Sequence, residues 1–183
     1  MNKETLEKYK DKLLAQNVRG LVLALNENLV AKIRSDNSIG DLLEEGERLK
    51  FCNSINDLFV SYEDFWKDDI GNHLLVMERL YPIQYRSMTI GKRVSFFDEF
   101  EFKLRELHKN GFAFRDFNAT KIVPPRDGEI QHNFILTQNG FRLIDVGVSI
   151  LKEKLPPFIT DFEKEVKKDI EDLKYVRNIA CSL

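Results

Sequence analysis

An α+β fold is what this chain predicts, with one core or a core split over two lobes: a small antiparallel sheet with an inserted helix over residues 1–81, and a reduced, mostly helical part over residues 82–183. Three observations carry that prediction. Short β-prone runs crowd the first eighty residues, one pair of them around the polar turn Asn26-Glu27-Asn28. A charged stretch with apolar residues at helical intervals interrupts those runs, and the second half carries two long amphipathic stripes.

In chain order, Leu6, Tyr9, Leu13 and Leu14 recur at helical spacing and predict an opening helix over 3–16. Residues 18–25 and 29–33 form a hairpin. Over 38–53, Leu42, Leu43, Leu49 and Cys52 mark a helix face, with Asp36, Asn37 or Ser38 as its N-cap. Strands over 58–62 and 73–80 complete a four-stranded sheet, the second ending before Pro82, which has no N–H to donate. Phe96, Phe97, Phe100, Leu104 and Leu107 define a helix over 95–110 that Gly111 stops. Strands 133–137 and 141–145 flank Gln138-Asn139-Gly140, where the Asn-Gly pair tolerates the positive φ of a tight hairpin. After Pro156 and Pro157, Phe162, Val166, Ile170, Leu173, Val176 and Ala180 form a final helical stripe.

Composition narrows the function. A 43% apolar and 32% charged balance in 183 residues is that of a globular domain. Net charge is −2 with Lys and Arg spread along the chain, so no basic footprint for nucleic acid is present. Cys52 and Cys181 have neither metal-ligand spacing with the three histidines nor the number for a disulfide framework, and read as free thiols in a reducing compartment. The longest continuous apolar run, Leu21 to Leu25, is too short for a membrane span. A soluble cytoplasmic protein with no export signal is expected.

Four clusters carry chemistry. Leu107-His108-Lys109-Asn110-Gly111-Phe112-Ala113-Phe114-Arg115-Asp116 resembles the protein-kinase run Leu-His-x-x-Gly-x-x-His-Arg-Asp, with Phe114 in place of the last histidine. Asn133-Phe134-Ile135-Leu136 and Leu143-Ile144-Asp145-Val146-Gly147 resemble the kinase strand pair that ends in Asp-Phe-Gly. Leu29-Val30-Ala31-Lys32-Ile33 is similar to the Val-Ala-x-Lys strand, and Leu74-Leu75-Val76-Met77-Glu78-Arg79-Leu80 to the strand that runs into the hinge.

The resemblance to the protein-kinase-like superfamily implies a Mg2+- and ATP-dependent transfer of phosphate to a hydroxyl acceptor on a protein or small molecule. It implies Asp116 as the carboxylate that orients the hydroxyl and accepts its proton, and Asn133 and Asp145 as oxygen ligands for Mg2+. Lys32 is implied at the α- and β-phosphates, paired with a carboxylate of the next helix: Glu45, which shares the face of Leu42 and Leu49, or its neighbour Glu44. Met77 is implied as gatekeeper, with Glu78 and Leu80 offering backbone groups to adenine. Gly20 and Val22 stand where the phosphate-covering loop begins its return strand. Asp169 matches the helix aspartate that braces the catalytic loop, the alternative being a solvated helix face.

The chain also departs from the kinase pattern. It keeps only Gly20 of the glycine-rich loop, which leaves weak phosphate binding or a substitute cation such as Arg19 as alternatives. Asn133 lies seventeen positions after Asp116, against about five in kinases. An insertion over 117–132 follows, centred on Pro124-Pro125-Arg126-Asp127-Gly128, that reads as a surface loop or part of an acceptor pocket. Lys121 is a candidate stand-in for the catalytic-loop lysine. Thirty-six residues follow Gly147, few for the peptide platform of a protein kinase; in this the chain is similar to small bacterial lipopolysaccharide and sugar kinases and to RIO-type kinases. Two further functions compete: a pseudokinase that binds nucleotide as a regulatory module, and a partner-binding protein that uses the opening helix or the insertion.

Overall fold

The computed structural model describes residues 3–17, 20–34, 39–84, 88–117 and 133–182. Among these residues the fold is mixed α and β, with a five-stranded antiparallel sheet and four α-helices. It divides into two compact units, Met1–Phe51 with Val60–Leu80, and Cys52–Phe59 with Tyr81–Leu183. Among the described residues no helix is long and apolar enough to cross a membrane.

In the first unit, helix α1 (Lys3–Tyr9) and a 3-10 turn (Lys10–Lys12) lead into β1 (Leu13–Asn17), β2 (Gly20–Ala24) and β3 (Leu29–Arg34). Helix α2 (Ile39–Asn53), β4 (Tyr62–Lys67) and β5 (His73–Glu78) follow, and the sheet order is β1-β2-β3-β5-β4. Because side chains alternate across a strand, Leu21, Leu23, Ala31, Ile33, Leu74 and Val76 share one face and form a core with Tyr9. The other face meets α2. Gly46 is the point of closest approach, where a Cβ would stand 3.3 Å from Leu75 and 3.4 Å from the Tyr62 ring.

Two expectations for this unit fail. The opening helix stops at Tyr9 instead of running to residue 16, and Leu13–Asn17 pairs with β2, giving the sheet a fifth strand. The adjacent leucines at 13 and 14 fit a helical stripe or a strand equally well, and the ladder hydrogen bonds to β2 decide for the strand. The strand expected over 58–62 lies instead at Tyr62–Lys67, an edge strand whose Glu63, Asp64 and Lys67 are exposed and hide its β-period. The candidate N-caps Asp36, Asn37 and Ser38 lie outside the described residues, as do Val18 and Arg19.

In the second unit, α3 (Ile90–Lys109) is capped by Thr89, whose hydroxyl accepts from the Lys92 N–H at 3.3 Å. It starts five residues before the expected 95, because its first turn is exposed and shows no apolar period. Gly111 ends it at φ +85°, a left-handed conformation suited to glycine. Strand β6 (Phe112–Ala113) pairs with β9 (Ile150–Leu151), and β7 (Phe134–Thr137) forms a hairpin with β8 (Gly140–Leu143). At the hairpin turn only Gly140, not Asn139, takes a positive φ. Helix α4 (Phe162–Ser182) closes the chain.

Phenylalanines build this unit's core. Phe100 stacks on Phe134 at 5.1 Å, Phe114 meets Phe117 edge-on at 5.0 Å, and Phe59 meets Phe112 edge-on at 5.4 Å. Phe117, expected at the head of the insertion, is fully buried core; residues 118–132, Lys121 among them, lie outside the described residues.

Candidate functional site

In the first unit, Lys32 is the fourth residue of β3 and faces α2, because it registers opposite Leu75 of β5. Its Nζ lies 2.5 Å from Glu45 Oε1. Glu45 is fully buried on the stripe of Leu42, Leu49 and Cys52, whereas Glu44 is exposed and pairs with Arg48 at 3.1 Å. The open choice between the two glutamates is settled by helix phase: residue 45, not 44, falls on the face that meets the sheet. The second Glu45 oxygen accepts from Arg34 Nη2 at 3.1 Å.

Val22 registers opposite Lys32, and Met77 opposite Val30, so both share the Lys32 face; Met77 is buried there. Glu78 ends β5. Its N–H donates to the Ser61 carbonyl at 3.0 Å, and its carboxylate accepts from the Ser61 hydroxyl at 3.1 Å. The Arg79 N–H is committed to the Asn28 carbonyl at 2.7 Å, while the Leu80 N–H donates to no group among the described residues. Gly20 sits inside the ladder, in register with Asn17 and with Arg34, and a Cβ there would collide with the Ile33 carbonyl oxygen. Close backbone approach within the sheet therefore explains this glycine without a ligand.

In the second unit, Asp116 follows a loop held from beneath by α4. Asp169, almost fully buried, accepts from the Phe114 and Arg115 N–H groups at 2.7 Å each and contacts His108 Nε2 at 3.0 Å. Of the two alternatives for Asp169, bracing of this loop is the one the geometry has. Arg115 adopts φ +67°, the only positive φ outside glycine among the described residues. Its Nε donates to Glu165 at 2.9 Å and its Nη1 to the Val148 carbonyl at 3.3 Å.

Asn133 Nδ2 donates to Asp116 Oδ2 at 2.6 Å, so the two meet despite their separation in sequence. An amide that donates through nitrogen turns its oxygen, the metal-binding atom, to other use. Just beyond β8, the Ile144 N–H donates to the Asn133 carbonyl at 3.2 Å, one residue before Asp145. Asp145 Oδ1 accepts from the Gly147 N–H at 2.7 Å, fixing the carboxylate in its own turn.

Compared with known proteins, the chain matches no family model and no curated sequence.

Three participants in this geometry had no role assigned from sequence. His108 stands in the quoted run, but its partner is sixty-one positions away. Glu165 lies one helical turn before Asp169, a spacing that puts both on one face of α4 and could have been read. Arg34 alternates with Lys32 on β3, which puts it on the same face.

Proposed function

We propose that this chain is a compact, protein-kinase-like phosphotransferase of the cytoplasm, moving the γ-phosphate of ATP to a hydroxyl acceptor, with residues 1–81 as N-lobe and 82–183 as C-lobe. The observation that carries the proposal is the Asp116–Asn133 contact at 2.6 Å. Asp116 and Asn133 stand seventeen positions apart, against about five in kinases, and the hydrogen bond joins them across that separation.

In this mechanism Asp116 orients the acceptor hydroxyl and takes its proton as the new O–P bond forms and the bond to the β-phosphate oxygen breaks. Its carboxylate is held ready by the Asn133 amide and by the loop backbone anchored on Asp169. Lys32, steered by Glu45, contacts the α- and β-phosphates. The donor set fits Mg2+, since one carboxylate (Asp145) and one amide oxygen (Asn133) are hard ligands for an ion whose shell is completed by phosphate and water. An ion held by these two residues would neutralise phosphate charge. Met77 borders the adenine position, and Glu78 and Leu80 offer it backbone groups.

A pseudokinase is the second reading, favoured by Gly20: its commitment to the ladder leaves little of a glycine loop to grip phosphate. Calorimetric titration of MgATP into wild type and Asp145→Ala tests the proposal. Saturable binding by wild type, weakened at least tenfold in the variant, is expected; absence of binding by wild type overturns both nucleotide readings.

A further inference from the structure

We infer that Arg34 is a second phosphate-holding cation, acting beside Lys32 on the polyphosphate of the ligand; the identity of that ligand as ATP rests on the function proposed above. Asn17 and Gly20 are paired, so only two residues separate the paired ends of β1 and β2. Gly20, the one glycine at the place of the phosphate-covering loop, is held against the Ile33 carbonyl within the ladder. Phosphate charge must then be met by side chains.

Arg34 is placed for that task. It shares the Lys32 face of β3, two residues on, and its neighbour across the ladder is Gly20, which sets no side chain beside it. Its guanidinium has five N–H donors, of which one meets Glu45 Oε2 among the described residues. The Nε is buried and donates to none, so a ligand from solvent would meet the Nη donors. Glu45 also divides its single charge between Arg34 and Lys32. A planar fork with donors uncommitted among the described residues and a shared counter-charge suits a phosphate, which it binds through two parallel hydrogen bonds. Glu45 thus serves two cations, holding Lys32 through one oxygen and Arg34 through the other.

Tripolyphosphate, MgATP and adenosine titrated calorimetrically into wild type, Arg34→Gln and Arg34→Lys test this, with urea unfolding of each variant to verify the fold. Arg34→Gln is expected to weaken tripolyphosphate and MgATP by about tenfold or more and to leave adenosine unchanged. Arg34→Lys, which keeps the ion pair with Glu45 but not the fork, is expected to fold as wild type and recover only part of the affinity. Equal tripolyphosphate affinity in wild type and both variants, or no tripolyphosphate binding by wild type, overturns the assignment. Expected tripolyphosphate results without any phosphate transfer from ATP would sink the phosphotransferase proposal and leave the Arg34 site standing.

Discussion

Arg115 shows how much of the site depends on single backbone dihedrals. A left-handed conformation costs an L-residue about 1–2 kcal/mol, and here it is maintained by two N–H bonds to Asp169 and by the Arg115 side chain on Glu165 and Val148. The twist turns the chain so that Asp116 meets Asn133. Both Arg115→Gly and Arg115→Ala lose the side-chain bonds, but only alanine carries the left-handed penalty. Urea unfolding should therefore find Arg115→Gly more stable than Arg115→Ala by about 1 kcal/mol; equal stability would mean that the loop relaxes to an ordinary φ. The run ending in Phe114-Arg115-Asp116 was legible in the sequence as a loop after a helix. Its dihedral was not, because the partners that impose it lie about fifty positions away on α4 and no local preference of arginine announces them.

At the scale of elements, α1 is short yet firmly tied to the β4–β5 turn. Tyr9 donates its hydroxyl to Asp68 at 2.6 Å, Lys8 reaches Asp68 at 3.3 Å and also Asp69, and the Thr5 hydroxyl donates to Asn72 at 3.1 Å. Burial acts to raise the Asp68 carboxyl, but hydrogen bonds from Tyr9, from the Asn72 side chain and backbone, and from Lys8 outweigh it and bring it down to about 2. Burial first, and then Asp68, push the Tyr9 phenol upward. A carboxyl depressed in the folded state stabilises fully above its unfolded value of about 3.9, and that stability is lost as pH falls toward 2. Wild type should thus lose stability between pH 5 and pH 2 more steeply than Asp68→Asn, as read by urea midpoints across that range. Parallel acid limbs would show that the latch is not held by the ionised carboxylate. None of this latch was legible: Leu6, Tyr9, Leu13 and Leu14 mark an apolar stripe, whereas the end of the helix is set by a strand partner and a turn more than fifty residues away. The two long helices were legible in kind because their stripes run for many turns, and only the exposed first turn of α3 escaped.

At the scale of the whole molecule, the sequence placed a boundary at residues 81 and 82, while the structure assigns 52–59 to the second unit. The Leu58 carbonyl accepts from the Leu143 N–H at 2.9 Å, Phe59 bridges to Leu143, and Asn56 donates to the Lys103 carbonyl at 2.9 Å. An apolar run such as 58–62 reveals an extended, buried segment but not which unit buries it. Lys32, named from a motif, is in contact with Glu45, named from its helix face, and Asp116 with Asn133, named from two separate motifs; motif and period gave the residues, and the fold gave the contacts.

Phosphate transfer through Asp116, as proposed above, can be followed as γ-phosphate release and transfer from MgATP in wild type and Asp116→Ala, with MgATP affinity measured on the same samples. Comparable affinity is expected in both proteins, with the turnover of wild type reduced at least a hundredfold in the variant. Equal turnover in the two proteins, or binding by wild type with no turnover at all, would contradict it.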